Sequence, residues 1–313
     1  MFEVKRVLSI QSHVIHGYVG NRAATFPLQC LGWDVDVINT VNFSNHTGYG
    51  SVRGTKSTHE EINEVHRGLS DIGVVYDAFL TGYIHGAEAL EAVGEIGRRM
   101  KAENPQMLWL LDPVMGDEGE LYVSSSVIPS YRKILMQGGV DIITPNQFEA
   151  ELLVDFAIDS YDALQRALEE LHTKFRVDHV VISSLKIGDD KSIKAVTSHR
   201  TRQHTRQYIF DIPFIESYFT GVGDLFSALL LDRVYEYSRL AHRDSYLQQS
   251  VNESLSVMAH VLKVTSDAAS RELGSNVVSK MGSADTMKSC ELRLIQCRDS
   301  YSSREQLFTP RKL

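Results

Sequence analysis

Cysteine is scarce. Cys30, Cys290 and Cys297 are an odd number with no CxxC spacing, so neither a disulfide framework nor a zinc knuckle is indicated. No apolar run reaches membrane-spanning length, and the opening Met1–Ile10 has no long apolar h-region. The expectation is a cytoplasmic protein, with the nucleus left open. Positive charge is not in excess either: the formal net charge is -8, which argues against duplex DNA or an anionic membrane as the main partner. No GxGxxG follows a strand-like run, which lowers the odds of a dinucleotide enzyme. Gly54-Thr55-Lys56-Ser57 fails as a Walker A ending because Thr55 separates the glycine from the lysine. His13 and His16 lack acidic or cysteine company and read as ordinary polar residues. With no internal repeat and no linker, residues 1–313 read as one domain, and 43% hydrophobic residues supply its core. Small-molecule chemistry is what remains.

What is present is a rhythm. Val7–Ile10, Val35–Ile38, Ala78–Leu80, Leu108–Leu111, Val140–Ile143 and Val180–Ile182 are short apolar runs that read as buried strands. Most end in polar residues: Gln11-Ser12-His13, Thr81-Gly82-Tyr83, Asp112, Thr144-Pro145-Asn146 and Ser183-Ser184. Helical patterns separate them, at Ala23–Leu31, near Glu60–Leu69, at Ala87–Lys101, from about Phe148, and near Leu164–Phe175. This is the βαβ pattern of a three-layer α/β fold with a largely parallel central sheet, in which ligands gather beyond the carboxyl ends of the strands. Residues 41–50 read as a loop or flap, and Gly188–Lys191 as the turn into a hairpin. The basic stretch Ser198–Arg206 reads as a solvated loop. A long amphipathic helix is expected over about Ser245–Glu272 and a late strand around Leu292–Ile295. The polar segments 274–288 and 299–313 read as mobile, with 298–313 as a flexible tail.

The stretch Phe219-Thr220-Gly221-Val222-Gly223-Asp224 opens a strongly apolar helical run beginning Leu225-Phe226. Glycines let main-chain N–H groups approach a ligand, and a helix start offers unpaired donors and partial positive charge, so the place suits an anion. Asp224 there fits two readings: a base taking a proton from a hydroxyl that attacks phosphate, or a first-turn acid favoured by the helix dipole. Asp112-Pro113-Val114-Met115-Gly116-Asp117 sets two carboxylates across a turn, which suits a hard cation or simply the turn itself. Asn146 and Glu149 have capping-box spacing, and Glu149 also stands where it can orient metal-bound water.

Read together, Ser9–Val14, Gly17–Ala24, Phe43–Tyr49, Leu80–Tyr83, Asp112–Asp117, Ile142–Leu153 and Gly221–Asp224 stand in the order found in the pyridoxal kinases of the ribokinase-like superfamily. The chain resembles that family from residue 5 to about 298. The resemblance implies ATP-dependent phosphorylation of the 5′-hydroxymethyl group of pyridoxal, pyridoxine and pyridoxamine, in vitamin B6 salvage, by a homodimer. It implies Asp224 as general base and the amides from Gly221 through Gly223 to Asp224 as the anion hole. Ser12, Thr47 and Tyr83 would meet the pyridine substrate, with Val19 and Phe43 as apolar walls. Asp112, Asn146, Glu149, Ser183, Ser184, Thr220 and Val222 would line the nucleotide side, with Tyr122 on a lid over ATP. Asp117, Thr144 and Glu149 would neighbour Mg2+ or Zn2+, and a K+ or Na+ ion is also implied. Three departures stand out: Val222 where some members carry Thr, Ser183 for a frequent Thr, and a shorter lid after Asp117 than in animal relatives. The alternatives are a hydroxymethylpyrimidine kinase of the same superfamily and a noncatalytic binder of pyridoxal phosphate or nucleotide.

Overall fold

The computed structural model describes residues 4–188, 192–213, 215, 217–240, 245–274 and 278–313. The expected turn at Gly188–Lys191 therefore lies partly outside the described residues. The chain opens with β1 (Lys5–Val14), α1 (Asn21–Cys30), β2 (Trp33–Phe43), β3 (Gly54–Lys56), α2 (His59–Asp71), β4 (Ala78–Thr81), α3 (Ala87–Glu103) and β5 (Leu108–Leu111). A small hairpin of β6 (Gly116–Asp117) and β7 (Glu120–Leu121) follows, then α4 (Val127–Gln137), β8 (Ile142–Ile143), α5 (Gln147–Val154), α6 (Tyr161–Thr173) and β9 (His179–Leu185). The last part holds β10 (Ile193–Arg200), β11 (Thr205–Ile212), α7 (Val222–Ser238), α8 (Tyr246–Leu273), α9 (Ala284–Ser289) and β12 (Arg311–Lys312).

One ten-stranded sheet runs in the order β12-β11-β10-β9-β8-β5-β4-β1-β2-β3. From β9 to β2 the neighbours are parallel, and the antiparallel pairs sit at the two edges. Each central strand is apolar on both faces because both are covered. Leu8, Phe79, Trp109, Ile143 and Val180 pack with Ile62 of α2, Leu90 of α3, Ile134 of α4, Leu153 of α5 and Leu164 of α6. Their sequence neighbours Val7, Ala78, Leu108, Ile142 and Val181 pack on the other side with Leu28 of α1, Leu229 of α7 and Val251 of α8. Burying such a side chain contributes about 1.5–3 kcal/mol, so the alternation holds three layers together. α8 contributes a stripe of Leu247, Val251, Leu255, Met258 and Val261, at the spacing of one helix face.

Several expectations need correction. The proposed strand at Leu292–Ile295 is a turn: Leu292 and Leu294 are buried and mimic strand alternation, but the Cys297 amide bonds the Arg293 and Leu294 carbonyls, and the Arg293 amide donates to Thr265 Oγ1 of α8. The segment packs on a helix and pairs with no strand of the sheet. The supposed flexible tail is anchored. Tyr301 is fully buried, the Leu307 amide donates to Ser256 Oγ, Asn252 exchanges two hydrogen bonds with Phe308, and β12 pairs with β11. In the polar 274–288 segment, read as mobile, α9 forms. Of the basic loop, Ser198–Arg200 and Thr205–Arg206 belong to β10 and β11. The 41–50 flap is shorter than expected, since β2 continues to Phe43 and pairs there with β3. No described helix is long and apolar enough to cross a membrane.

Candidate active site

β1 pairs with β2 on one side and with β4 on the other, so the strand order reverses there. A crevice opens beyond the carboxyl ends at such a switch point. The expected site residues lie along this one edge. Ser12 lies near the end of β1, Phe43 ends β2, Thr47 opens a short 3-10 turn, and Tyr83 follows β4. Asp112 follows β5, Thr144 follows β8, and Ser183 and Ser184 lie in the last part of β9. Hydrogen bonds stitch the ends together: Asp112 N to Thr81 O (2.8 Å), Thr144 N to Leu111 O (3.3 Å) and Ser183 N to Pro145 O (3.0 Å).

Over this edge stands the start of α7. Gly221 is the N-cap, with φ 77°, a left-handed conformation that glycine adopts without penalty. A side chain on it would also collide with the carbonyl of Tyr18. The first helical bond is Leu225 N to Gly221 O (3.0 Å), so the amides of Val222, Gly223 and Asp224 precede the helix ladder and have no helical partner, an arrangement that suits an anion. Half-buried Asp224 accepts the amide of Gly20, which opposes the upward push of burial on its carboxyl. Gly20 has φ 55° and lies so close to Ser12 that no side chain fits. Thr220 is buried behind the turn.

Asp112 is the nearest acid. Burial and then the charge of Asp224 push its carboxyl up to about 7, while hydrogen bonds with Ser227 and Thr144 pull the other way. Ser227 Oγ donates to Asp112 Oδ2 (3.2 Å) and stands 3.1 Å from Thr144 Oγ1. Glu149 closes a capping box: its carboxylate accepts the Asn146 amide (2.9 Å) and its own amide donates to Asn146 Oδ1 (2.8 Å). The other carboxylate oxygen accepts the Met115 amide (2.9 Å), yet burial and Asp112 hold its carboxyl well above the usual range. The cap and the site are thus one structure. Asn146 spends its side chain locally, donating also to Gly116 O (2.7 Å).

Asp117 is exposed in the β6–β7 hairpin, and Tyr122 just beyond it shares a hydrogen bond with Tyr218 before the glycine-rich turn. Among the described residues no three histidine, cysteine or acidic side chains converge as a cage for a metal ion. Residues given no role from the sequence now stand beside the expected ones: Gly20 on Asp224, Ser227 on Asp112 and Tyr218 on Tyr122, with Glu291 bonded to the neighbouring loops. Ser227 was within reach, three residues after Asp224 and so on the same helix face. Glu291 gave no local signal.

The fold and these acids define the class, an α/β enzyme that handles phosphate over a helix start, and the comparisons with known proteins make it specific. A family profile described as phosphomethylpyrimidine kinase matches residues 28–265. A relative from Saccharomyces cerevisiae is 48% identical over 304 residues, 95% of each chain. The pyridoxal kinase of Homo sapiens is 37% identical over 311 residues, again 95% of each chain. The structure of Leishmania donovani pyridoxal kinase in complex with ADP and pyridoxine superposes with TM-score 0.84 at 32% identity, covering 98% of this chain and 99% of that one. The chain belongs to the pyridoxal kinase family.

Proposed function

We propose that the chain transfers the γ-phosphoryl group of ATP to the 5′-hydroxymethyl group of pyridoxal, pyridoxine and pyridoxamine. The observation that carries this reading is Asp224 at the mouth of the α7 N-terminus, held by the Gly20 amide and facing Asp112. The vitamer lies on the side of β1, β2 and β4, against Ser12, Thr47 and Tyr83 and between Val19 and Phe43. ATP lies over β5, β8 and β9, against Asp112, Asn146, Glu149, Ser183 and Ser184, with Tyr122 as its lid. The relative crystallised with ADP and pyridoxine supports this pair of ligands.

Asp224 accepts the proton of the alcohol as its oxygen bonds to the γ-phosphorus and the bond to ADP breaks. The amides from Gly221 to Asp224, with Thr220 and Val222 shaping the turn, receive the charge on the travelling phosphoryl oxygens. Val222 contributes only its backbone here, so the missing threonine hydroxyl leaves these donors in place. A divalent cation, Mg2+ or Zn2+, would be held jointly by the phosphates of ATP and the oxygen donors Asp112, Asp117, Thr144 and Glu149, which among the described residues close no cage by themselves. Burial and a neighbouring carboxylate raise the proton affinity of both buried acids, Asp224 acting on Asp112 and Asp112 on Glu149, and a cation relieves such crowding of charge. Bound with ATP, the cation supplies neutralisation of phosphate charge. K+ or Na+, a homodimer, a single-domain chain and a cytoplasmic setting belong to the same proposal, by likeness to the family.

Asp224→Asn is expected to lower kcat by about 10²–10⁴-fold, the usual contribution of general base catalysis, while pyridoxal and ATP still bind by calorimetry. Full turnover in that variant would remove Asp224 as base. The competing alcohol is a hydroxymethylpyrimidine, the acceptor in the alternative reading of the sequence. Competition between it and pyridoxal for ATP is expected to favour pyridoxal.

A further inference from the structure

Glu291 is 5% exposed and lies far along the chain from every residue assigned above. Its carboxylate joins two loops. Oε2 accepts the backbone amide of Tyr18 (2.9 Å), and Oε1 accepts the hydroxyl of Tyr49 (2.7 Å). Tyr18 belongs to the loop whose Gly20 amide holds Asp224 and whose carbonyl packs on Gly221. Tyr49 ends the short turn that begins at Thr47, in the flap that follows Phe43. The segment around Glu291 grips the same parts: the Gly282 amide donates to Gly48 O (2.7 Å), and Met281 and Met287 lie against Gly48. It also reaches the approach to the anion hole, where the Ser279 amide donates to Ser217 Oγ (3.1 Å) and Cys290 Sγ lies 3.7 Å from the same oxygen.

We infer that Glu291 is a positioning residue for phosphoryl transfer, the centre of a clamp formed by residues 279–291 that fixes the vitamer flap relative to Asp224. This rests on the functional reading above and adds to it a residue for the alcohol side of the site. A buried carboxylate with two donors makes strong charge-assisted hydrogen bonds, and a donor left facing the wrong group inside the protein costs its full desolvation. Glutamine keeps the size of Glu291 but turns one of its two acceptors into an NH2 group. The glutamine oxygen can keep the Tyr18 amide while the Tyr49 hydroxyl turns to accept from the NH2 group, so both charge-assisted hydrogen bonds are lost and the flap is held less firmly. The nucleotide side at β5, β8 and β9 has no bond to Glu291 among these contacts, so the effect falls on the vitamer.

The test is steady-state kinetics of the full-length protein with pyridoxal and ATP varied separately, for the wild type, Glu291→Gln, Tyr49→Phe, the double variant and Lys263→Gln as a surface control. Glu291→Gln is expected to raise the KM for pyridoxal about tenfold or more, with the KM for ATP changed less than about twofold. Tyr49→Phe is expected to shift the same constant by less. The double variant is expected to lose less than the sum of the two single changes, because both remove the same charge-assisted hydrogen bond. Unchanged constants in Glu291→Gln overturn the clamp. Equal effects on both substrates, tracking a fall in Tm, also overturn it, because they mark a merely structural role. Should Glu291→Gln fail to fold, the split between the two KM values in Tyr49→Phe decides. Wild-type protein without pyridoxal turnover overturns the functional reading and the clamp with it, whereas turnover with no selective loss overturns the clamp alone.

Discussion

Asp112 and Asp224 are two acids brought together beside a helix start, and their closeness has a cost that can be measured. Asp112 has an ordinary value of 3.8 and is pushed up to about 7 in the fold by burial and by Asp224. A carboxyl whose proton affinity is higher folded than unfolded stabilises the fold while protonated. That contribution is complete below about 3.8 and is lost as pH rises to about 7, since over that window the native state binds the extra proton. In ligand-free protein, Asp112→Asn removes this loss. Its Tm advantage over the wild type is expected to grow between pH 4 and pH 7 and then level off, while kcat falls, a trade of activity for stability. An advantage that shrinks with rising pH would contradict the assignment. Asp112 itself was legible in the sequence, as an acid at the tip of an apolar strand. Its coupling to Asp224 was not, because nothing local ties positions in different elements together. The same limit hid Glu291, whose partners Tyr18 and Tyr49 lie 273 and 242 residues away.

The α7–α8 pair shows why some elements could be read and others could not. α8 announces itself by its apolar stripe and the glycine after it, and the strands by short β-branched and leucine-rich runs ending in polar residues. The C-terminal strap has neither signal. It is held through its backbone: buried Arg233 donates to the carbonyls of Tyr301 and Ser303, and its charge is met by Asp232 (2.9 Å) and Glu253 (3.8 Å). Arg304 of the strap reaches Glu253 as well (3.4 Å). Hydropathy cannot report bonds to carbonyls, so a polar segment looked mobile. The error at Leu292–Ile295 has the reverse cause, since alternating burial arises there from packing into the core beside α7 and α8 without pairing to a strand. Arg233→Leu leaves two buried carboxylates short of a partner and frees two carbonyls, and breaking such a network from one side costs about 3–5 kcal/mol. The variant is expected to melt well below the wild type and to expose the bonds after residue 298 to limited proteolysis. An unchanged Tm would show that the strap is held by its apolar contacts instead.

Across the molecule the sheet sorts the chemistry. On the proposed reading its parallel strands deliver the residues for the alcohol from β1, β2 and β4, and those for phosphate and cation from β5, β8 and β9, with the start of α7 above the boundary. The layer order and this polar edge were readable from periodicity, and the family from the blocks at its strand ends. The small β6–β7 hairpin and α9 were not, being short, and α4 went unread although Gly138 caps its end. The central claim is that the alcohol of the vitamer and the carboxylate of Asp224 meet at the α7 N-terminus. A crystal structure of the protein with pyridoxal and a nonhydrolysable ATP analogue tests it directly. The prediction is a 5′-oxygen within about 2.6–3.2 Å of an Asp224 oxygen, the reach of a general base, and a γ-phosphate facing the amides of Gly221 to Asp224. A vitamer bound with its alcohol turned away from Asp224 would contradict it.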